Sequence, residues 1–180
     1  MDGDTLREGI FALHTRRFGT VAEVLIQRLV RLGKARSLFH DLYDDIANKR
    51  VEVKFSRALK KSEVLVSDAT VLQCIESATS EKRMVAWKNR KTVEFDCNIQ
   101  QVKRIEFDLL YYGIFFSDCV AIFHIKTEDI GRAIFYSDKQ HKGNVGEGQF
   151  HINQDTIQIH EDSYLYHTLT YDKLLELLSA

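Results

Sequence analysis

FHDLYDDIANKRVEVKFSRA, residues 39–58, is the stretch on which the reading of the chain turns. Val51, Val53 and Phe55 alternate with Glu52, Lys54 and Ser56, the two-residue period of a strand with one buried face. DDIANK, residues 44–49, reads as a polar turn, so a strand over roughly 37–43 folds back on one over 50–56. Centred on Ile46 and Ala47, that hairpin sets Asp41 opposite Glu52, and directly opposed residues point to the same face. Lys54, two residues beyond Glu52, shares that face. Two carboxylates and one ammonium then converge at one edge of a sheet.

The flanks fit a layered α/β domain. Residues 4–17 read as a helix with Asp4 as N-cap, and 20–32 as a second helix with Val21, Val24, Leu25, Leu29 and Leu32 on its apolar side. Thr20 and Glu23 have capping-box spacing, and Gly33 is a natural stop. Downstream, 68–78 reads as a helix, and 83–87 and 92–99 as strands. FDLLYYGIFF (107–116) and CVAIFHI (119–125) are near-continuous apolar runs, the pattern of central strands covered on both faces. A polar loop over 137–149 leads to short strands near 150–153 and 156–160, and a last helix, 171–178, starts behind Thr170. The expected architecture is a mixed central sheet flanked by helices, in a single domain over 1–180. Its core spans about 18–125, with a recognition loop and C-terminal elements over about 126–180.

The chain has 180 residues, 44% of them hydrophobic, which suits one core and argues against disorder. No apolar run is long enough to cross a bilayer, and the polar start MDGDTLREG is no signal peptide. Cys74, Cys97 and Cys119 form no CxxC pair, which fits a reducing, cytoplasmic setting. Net charge is −1, but residues 1–104 hold 20 Lys and Arg against 14 Asp and Glu, and residues 105–180 hold 5 against 12. A positive segment beside a negative one suits a protein that presents one face to a polyanion.

Two carboxylates this close repel unless a cation lies between them. Mg²⁺ suits the pair because it prefers oxygen ligands, takes few from protein and keeps waters; Mn²⁺ substitutes readily. Such a site suits phosphodiester hydrolysis, with Lys54 orienting the attacking water. Glu52-Val53-Lys54 is the only D/E-x-K in the chain.

Asp41 followed by Glu52-Val53-Lys54 resembles the PD-(D/E)XK nuclease superfamily, and RVEVKFSRA resembles small type II restriction endonucleases. The resemblance implies a restriction-endonuclease-like core, with Asp41 and Glu52 as metal ligands and Lys54 as a catalytic partner. His40 stands where the family has proline, which leaves Asp44 and Asp45 as rival ligands. GTVAE, residues 19–23, looks like the helical glutamate that family members add near the metal, so Glu23 joins the catalytic set.

In the loop, Lys139, Gln140, His141, Lys142, Asn144, Glu147, Gln149 and His151 cluster among glycines. Amide and lysine side chains can read base edges, and exposed backbone amides can approach phosphates. Gln100, Gln101 and Lys103 are further candidates, as are Ser56, Arg57 and Lys60, with Lys61 beside them. The expectation is a Mg²⁺-dependent endonuclease of double-stranded DNA, a sequence-specific type II restriction enzyme. No nucleotide cofactor motif is present. A palindromic site calls for a homodimer. The alternatives are a structure-selective resolvase or repair nuclease, and a non-catalytic DNA-binding domain of the same fold.

Overall fold

The computed structural model describes residues 1–61, 64–139 and 145–180. Helix α1 (Gly3–Ala12) is capped by Asp2, whose side chain accepts the Thr5 N–H, and not by Asp4. It stops at Ala12 because Leu13 and His14 are extended, so the expected helix over 4–17 is two pieces. Helix α2 (Thr15–Val30) therefore starts before Thr20, and the expected capping box does not form. Thr20 lies inside the helix, where its hydroxyl donates to the Arg16 carbonyl. The helix ends on Arg31 in the left-handed conformation, two residues before the expected glycine.

Strand β1 (Gly33–Lys34) is followed by β2 (Leu42–Asp44) and the long β3 (Lys49–Arg57). The expected strand over 37–43 is mostly loop: its first half is irregular and only its end pairs. Helices α3 (Val71–Ser77) and α4 (Ser80–Arg83) follow; the strand expected over 83–87 does not form, since Arg83 ends α4, Met84 makes a single bridge to Leu59 and Trp87 opens a 3-10 turn. Next come β4 (Asp96–Val102), β5 (Leu109–Phe115), β6 (Val120–Lys126), β7 (Ser137–Lys139) and β8 (Val145–Asn153). Residues expected as a strand over 156–160 form the start of helix α5 (Ile157–Tyr164), because Ile157 and His160 sit one turn apart on its buried side. Strand β9 (Leu165–Leu169) and helix α6 (Tyr171–Ser179) complete the chain, with Thr170 capping α6 at Lys173 N–H.

One sheet has the order β1-β2-β3-β5-β6-β9 and is mixed: β3 and β5 run parallel and its other pairs are antiparallel. A second, antiparallel sheet has the order β4-β8-β7. Alternation along β5 divides the core between two faces. Tyr111 and Phe115 join α1, α2 and α6 on one side through Phe18, Leu25, Ile26 and Leu174. Leu110, Tyr112 and Ile114 meet the second sheet on the other through Cys97, Ile99, Phe150 and Ile152. The runs read as central strands are central for this reason: both faces are covered. Gly113 is required where β5 passes β3, since a Cβ there would lie 2.2 Å from the Phe55 ring. Among the described residues no helix is long and apolar enough to cross a membrane.

Candidate acidic cleft between the two sheets

Strand register builds the site. Leu42 pairs with Val51, Tyr43 with Arg50 and Asp44 with Lys49, so the hairpin is centred on Ile46 and Ala47 as expected. Asp41 lies just past the end of β2. Its N–H donates to the Val51 carbonyl at 3.1 Å, and its Oδ2 accepts the Val53 N–H at 2.9 Å. The carboxylate is thereby pinned beside Glu52 and Lys54. His40, buried just before it, accepts from the Arg36 N–H and meets the Ser37 hydroxyl, which fixes the loop leading in.

Lys54 Nζ contacts Glu52 Oε1 directly and lies 3.9 Å from Asp41 Oδ2. The side chains of Asp41, Glu52 and Lys54 are 25%, 12% and 24% exposed, so all three are sheltered yet reachable from solvent. Burial pushes the Glu52 carboxyl up to about 7; Asp41 and Glu106 add to the rise and Lys54 opposes it. Burial pulls the Lys54 ammonium down, but Glu52 and Asp41 outweigh it and hold it above its ordinary value. Glu23, on α2, is raised by burial and then by Asp41, with Lys54 opposing, which places it within electrostatic reach of the pair.

The three groups open into a cleft of about 210 Å³ whose far wall is Gln101, Lys103, Glu106 and Glu147. Lys103 Nζ lies 3.6 Å from Glu106 and 3.5 Å from Glu147, so a second ammonium bridges two carboxylates across from the first. An adjoining cleft of about 490 Å³ shares Lys54 and Gln101 and contains Glu23, Thr20 and Arg16 in its wall. Gln101 reaches both spaces because it is the left-handed residue of a β-bulge in β4.

The rival carboxylates are placed elsewhere. Asp44 Oδ1 accepts the Ile46 and Ala47 N–H groups and closes the turn, and Asp45 pairs with Arg36. Among the described residues no three His, Cys, Asp or Glu side chains converge as a metal-ligating group. The donor set at Lys54 is two carboxylates in a water-accessible cleft, a set that fits Mg²⁺ because that ion keeps most of its waters.

The expected DNA-contacting residues scatter. Gln101 and Lys103 line the acidic cleft. Arg57 is committed to the fold: it donates to the Ile10 and Leu13 carbonyls at the α1–α2 junction and stacks 3.9 Å over Phe18. Ser56 is half-buried on β3, and Lys60 is exposed next to Lys61, which pairs with Glu94. Lys139 is exposed on β7; Gln149 accepts from Asn98 across β4 and β8. His151 is bonded to Asp96. Gln140, His141, Lys142 and Asn144 lie outside the described residues. Glu106 was not singled out from the sequence. It reaches Glu52 only through the parallel β3–β5 pairing, and no local spacing announces that. No family model matches the chain, and no characterised protein or solved structure matches it significantly.

Proposed function

We propose that the protein is a Mg²⁺-dependent endonuclease of double-stranded DNA with a restriction-endonuclease-like core, acting as a sequence-specific type II restriction enzyme. The observation that carries the reading is the convergence of Asp41, Glu52 and Lys54 at one open cleft, in the register that the D-x₁₀-E-x-K spacing implies. Asp41 and Glu52 would hold the ion, which when bound supplies charge to offset the scissile phosphate and acidify a water. Lys54, already between the two carboxylates, would orient that water and favours the ionised form of Glu52 against its burial. Main-chain bonds fix Asp41 before any ligand arrives, so the site needs little reorganisation. Glu23 borders the neighbouring cleft and adds negative charge on the α2 side. Gln101 and Lys103 are the contacts nearest the reacting phosphate, and the segment 137–149 is the reader of sequence. Two strands cut at a palindromic site call for two copies.

Digestion of a mixed-sequence plasmid with Mg²⁺ tests this. Discrete fragments, lost in Asp41→Asn and Glu52→Gln and in EDTA, support the restriction reading. Cleavage confined to branched DNA would replace it with a resolvase. Absence of cleavage with any divalent metal would leave a binding domain.

A further inference from the structure

We infer that strand β9 is a homodimer interface, pairing edge to edge with β9 of a second copy about a two-fold axis at His167. The argument stands without the nuclease reading, because it comes from main-chain hydrogen bonding alone.

Among the described residues, four strands form the sheet edges: β1 and β9 in one sheet, β4 and β7 in the other. Edges invite pairing with another chain unless they are short, charged or irregular. β1 has two residues and ends on Lys34, and β7 is Ser137-Asp138-Lys139. β4 carries Asp96 and the bulge at Gln101. β9, Leu-Tyr-His-Thr-Leu, has no Lys, Arg, Asp, Glu or Pro, and its residues 165–168 are exposed. Leu165 and Tyr166 keep 40% and 42% of their surface in water.

The main-chain groups on that edge can be assigned. Phe116 N–H bonds the Cys119 carbonyl, so Ala121 points its main-chain groups at β5, and Val120 and Ile122 point theirs at β9. Leu169 and His167, their partners, bond inward. Thr168 between them directs its N–H and C=O away from β6. Tyr166 is the extra residue at the bulge and has no register partner on β6. A second copy can pair with this edge: in the antiparallel register that pairs all five residues, Thr168 of each chain, with its outward groups, faces Tyr166 of the other. Leu165 then faces Leu169, and His167 faces its own copy as a non-hydrogen-bonded pair with the closest Cβ approach. The five-residue sequence is close to its own reverse, as a two-fold pairing requires. Two aromatic contacts stiffen the strand: Tyr166 packs edge-on against Tyr111 at 5.6 Å and His124 at 5.3 Å. Ten paired residues bury less than the roughly 1,200 Å² of a standard interface, so the free dimer is weak and concentration-dependent.

The test combines sedimentation of the full chain, from roughly micromolar to millimolar, with site-directed cross-linking. Thr168→Pro removes an outward N–H and no bond to β6, so it should fold and stay monomeric where the native chain dimerises. His167→Cys should form an intermolecular disulfide under mild oxidation at least tenfold faster than Ile46→Cys, a fully exposed control. A native chain that stays monomeric throughout, together with equal cross-linking of the two cysteine variants, overturns the assignment. So does a Thr168→Pro dimer of undiminished affinity; if that variant fails to fold, the cross-linking rates decide alone.

Discussion

Replacing Glu52 by Gln should make the metal-free chain more stable near neutral pH and no more stable in acid. Burial, with help from Asp41 and Glu106, lifts Glu52 from its ordinary 4.5 to about 7. A tenfold change in a protonation equilibrium is about 1.4 kcal/mol, so the shift corresponds to at most about 3 kcal/mol; water reaching the side chain reduces this to about 1–2 kcal/mol. The sign follows from linkage. Between those two pH values the folded chain keeps a proton that the unfolded chain has released. That stability is fully present below the unfolded value of 4.5 and is lost as pH rises through about 7. Gln has the shape of a protonated Glu and never ionises, so the two proteins should coincide in acid and separate as pH rises.

The native chain alone hides this slope, because His160 has the opposite one. Burial lowers the imidazole from 6.5 to about 4, so stability falls as pH drops through that window. The variant must therefore be compared with the native chain at each pH, by urea unfolding in EDTA from about pH 4 to about pH 8. A stability difference that stays constant across the range would refute the claim that Glu52 is desolvated among like charges. Mg²⁺ at ten times its Kd should then return about 1.4 kcal/mol to the native chain and little to Glu52→Gln.

Asp41→Asn should abolish cleavage and keep the fold, since Asn can still accept the Val53 N–H; Asp41→Ala orphans that N–H and should cost a further 1–2 kcal/mol or so in urea unfolding. Asp44→Ala should cut at the native rate while losing about 1 kcal/mol, because its carboxylate closes the turn. Lys54→Met removes the neighbour that holds Glu52 down, so carboxyl-labelled NMR should show Glu52 titrating above the native value of about 7. His160→Phe should flatten the acid limb of the stability profile, at a cost of about 1 kcal/mol for the lost Tyr112 hydrogen bond. Affinity for a duplex should rise with Ca²⁺ in the native chain and depend little on Ca²⁺ once Asp41 and Glu52 are both neutralised.

Local pattern carried the hairpin and the central strands, because a two-residue period and a polar turn leave one register that buries Val51 and Val53. It also carried α6, whose Thr170 cap forms as expected. It failed where tertiary contact overrides local signal. The helix over 4–17 breaks at Leu13 because that corner is held by Arg57, 44 residues away. The stretch 156–160 alternates well enough to pass for a strand, yet His160 is drawn into an aromatic cage of Tyr112, Phe123 and Phe150, and helical spacing puts it there. In the site, Asp41, Glu52 and Lys54 were legible because one hairpin supplies all three. Lys103 and Glu106 come from the connection between β4 and β5 and Glu147 from β8, and only the folded topology brings them to the hairpin.

The charge asymmetry along the sequence has a different meaning in the fold than it has on paper. Arg50 binds Asp108, Arg90 binds Glu161 and Arg104 binds Asp138, so cations of the first segment are matched to carboxylates of the second. Arg28 adds bonds to the last carbonyls of α6. The excess of positive charge before residue 105 is thus partly consumed in joining the halves of the domain rather than laid out as a basic face. The cleft itself contains Asp41, Glu52, Glu106 and Glu147 against Lys54 and Lys103. A phosphodiester approaching this cleft meets net negative charge at short range, where screening by salt is weakest. On the proposed reading, the protein would not steer DNA by its own surface at the point of cutting; a divalent ion would first offset the local negative charge. Metal binding and substrate binding would then be one coupled event, with the carboxylates proposed to hold the ion also repelling DNA in its absence.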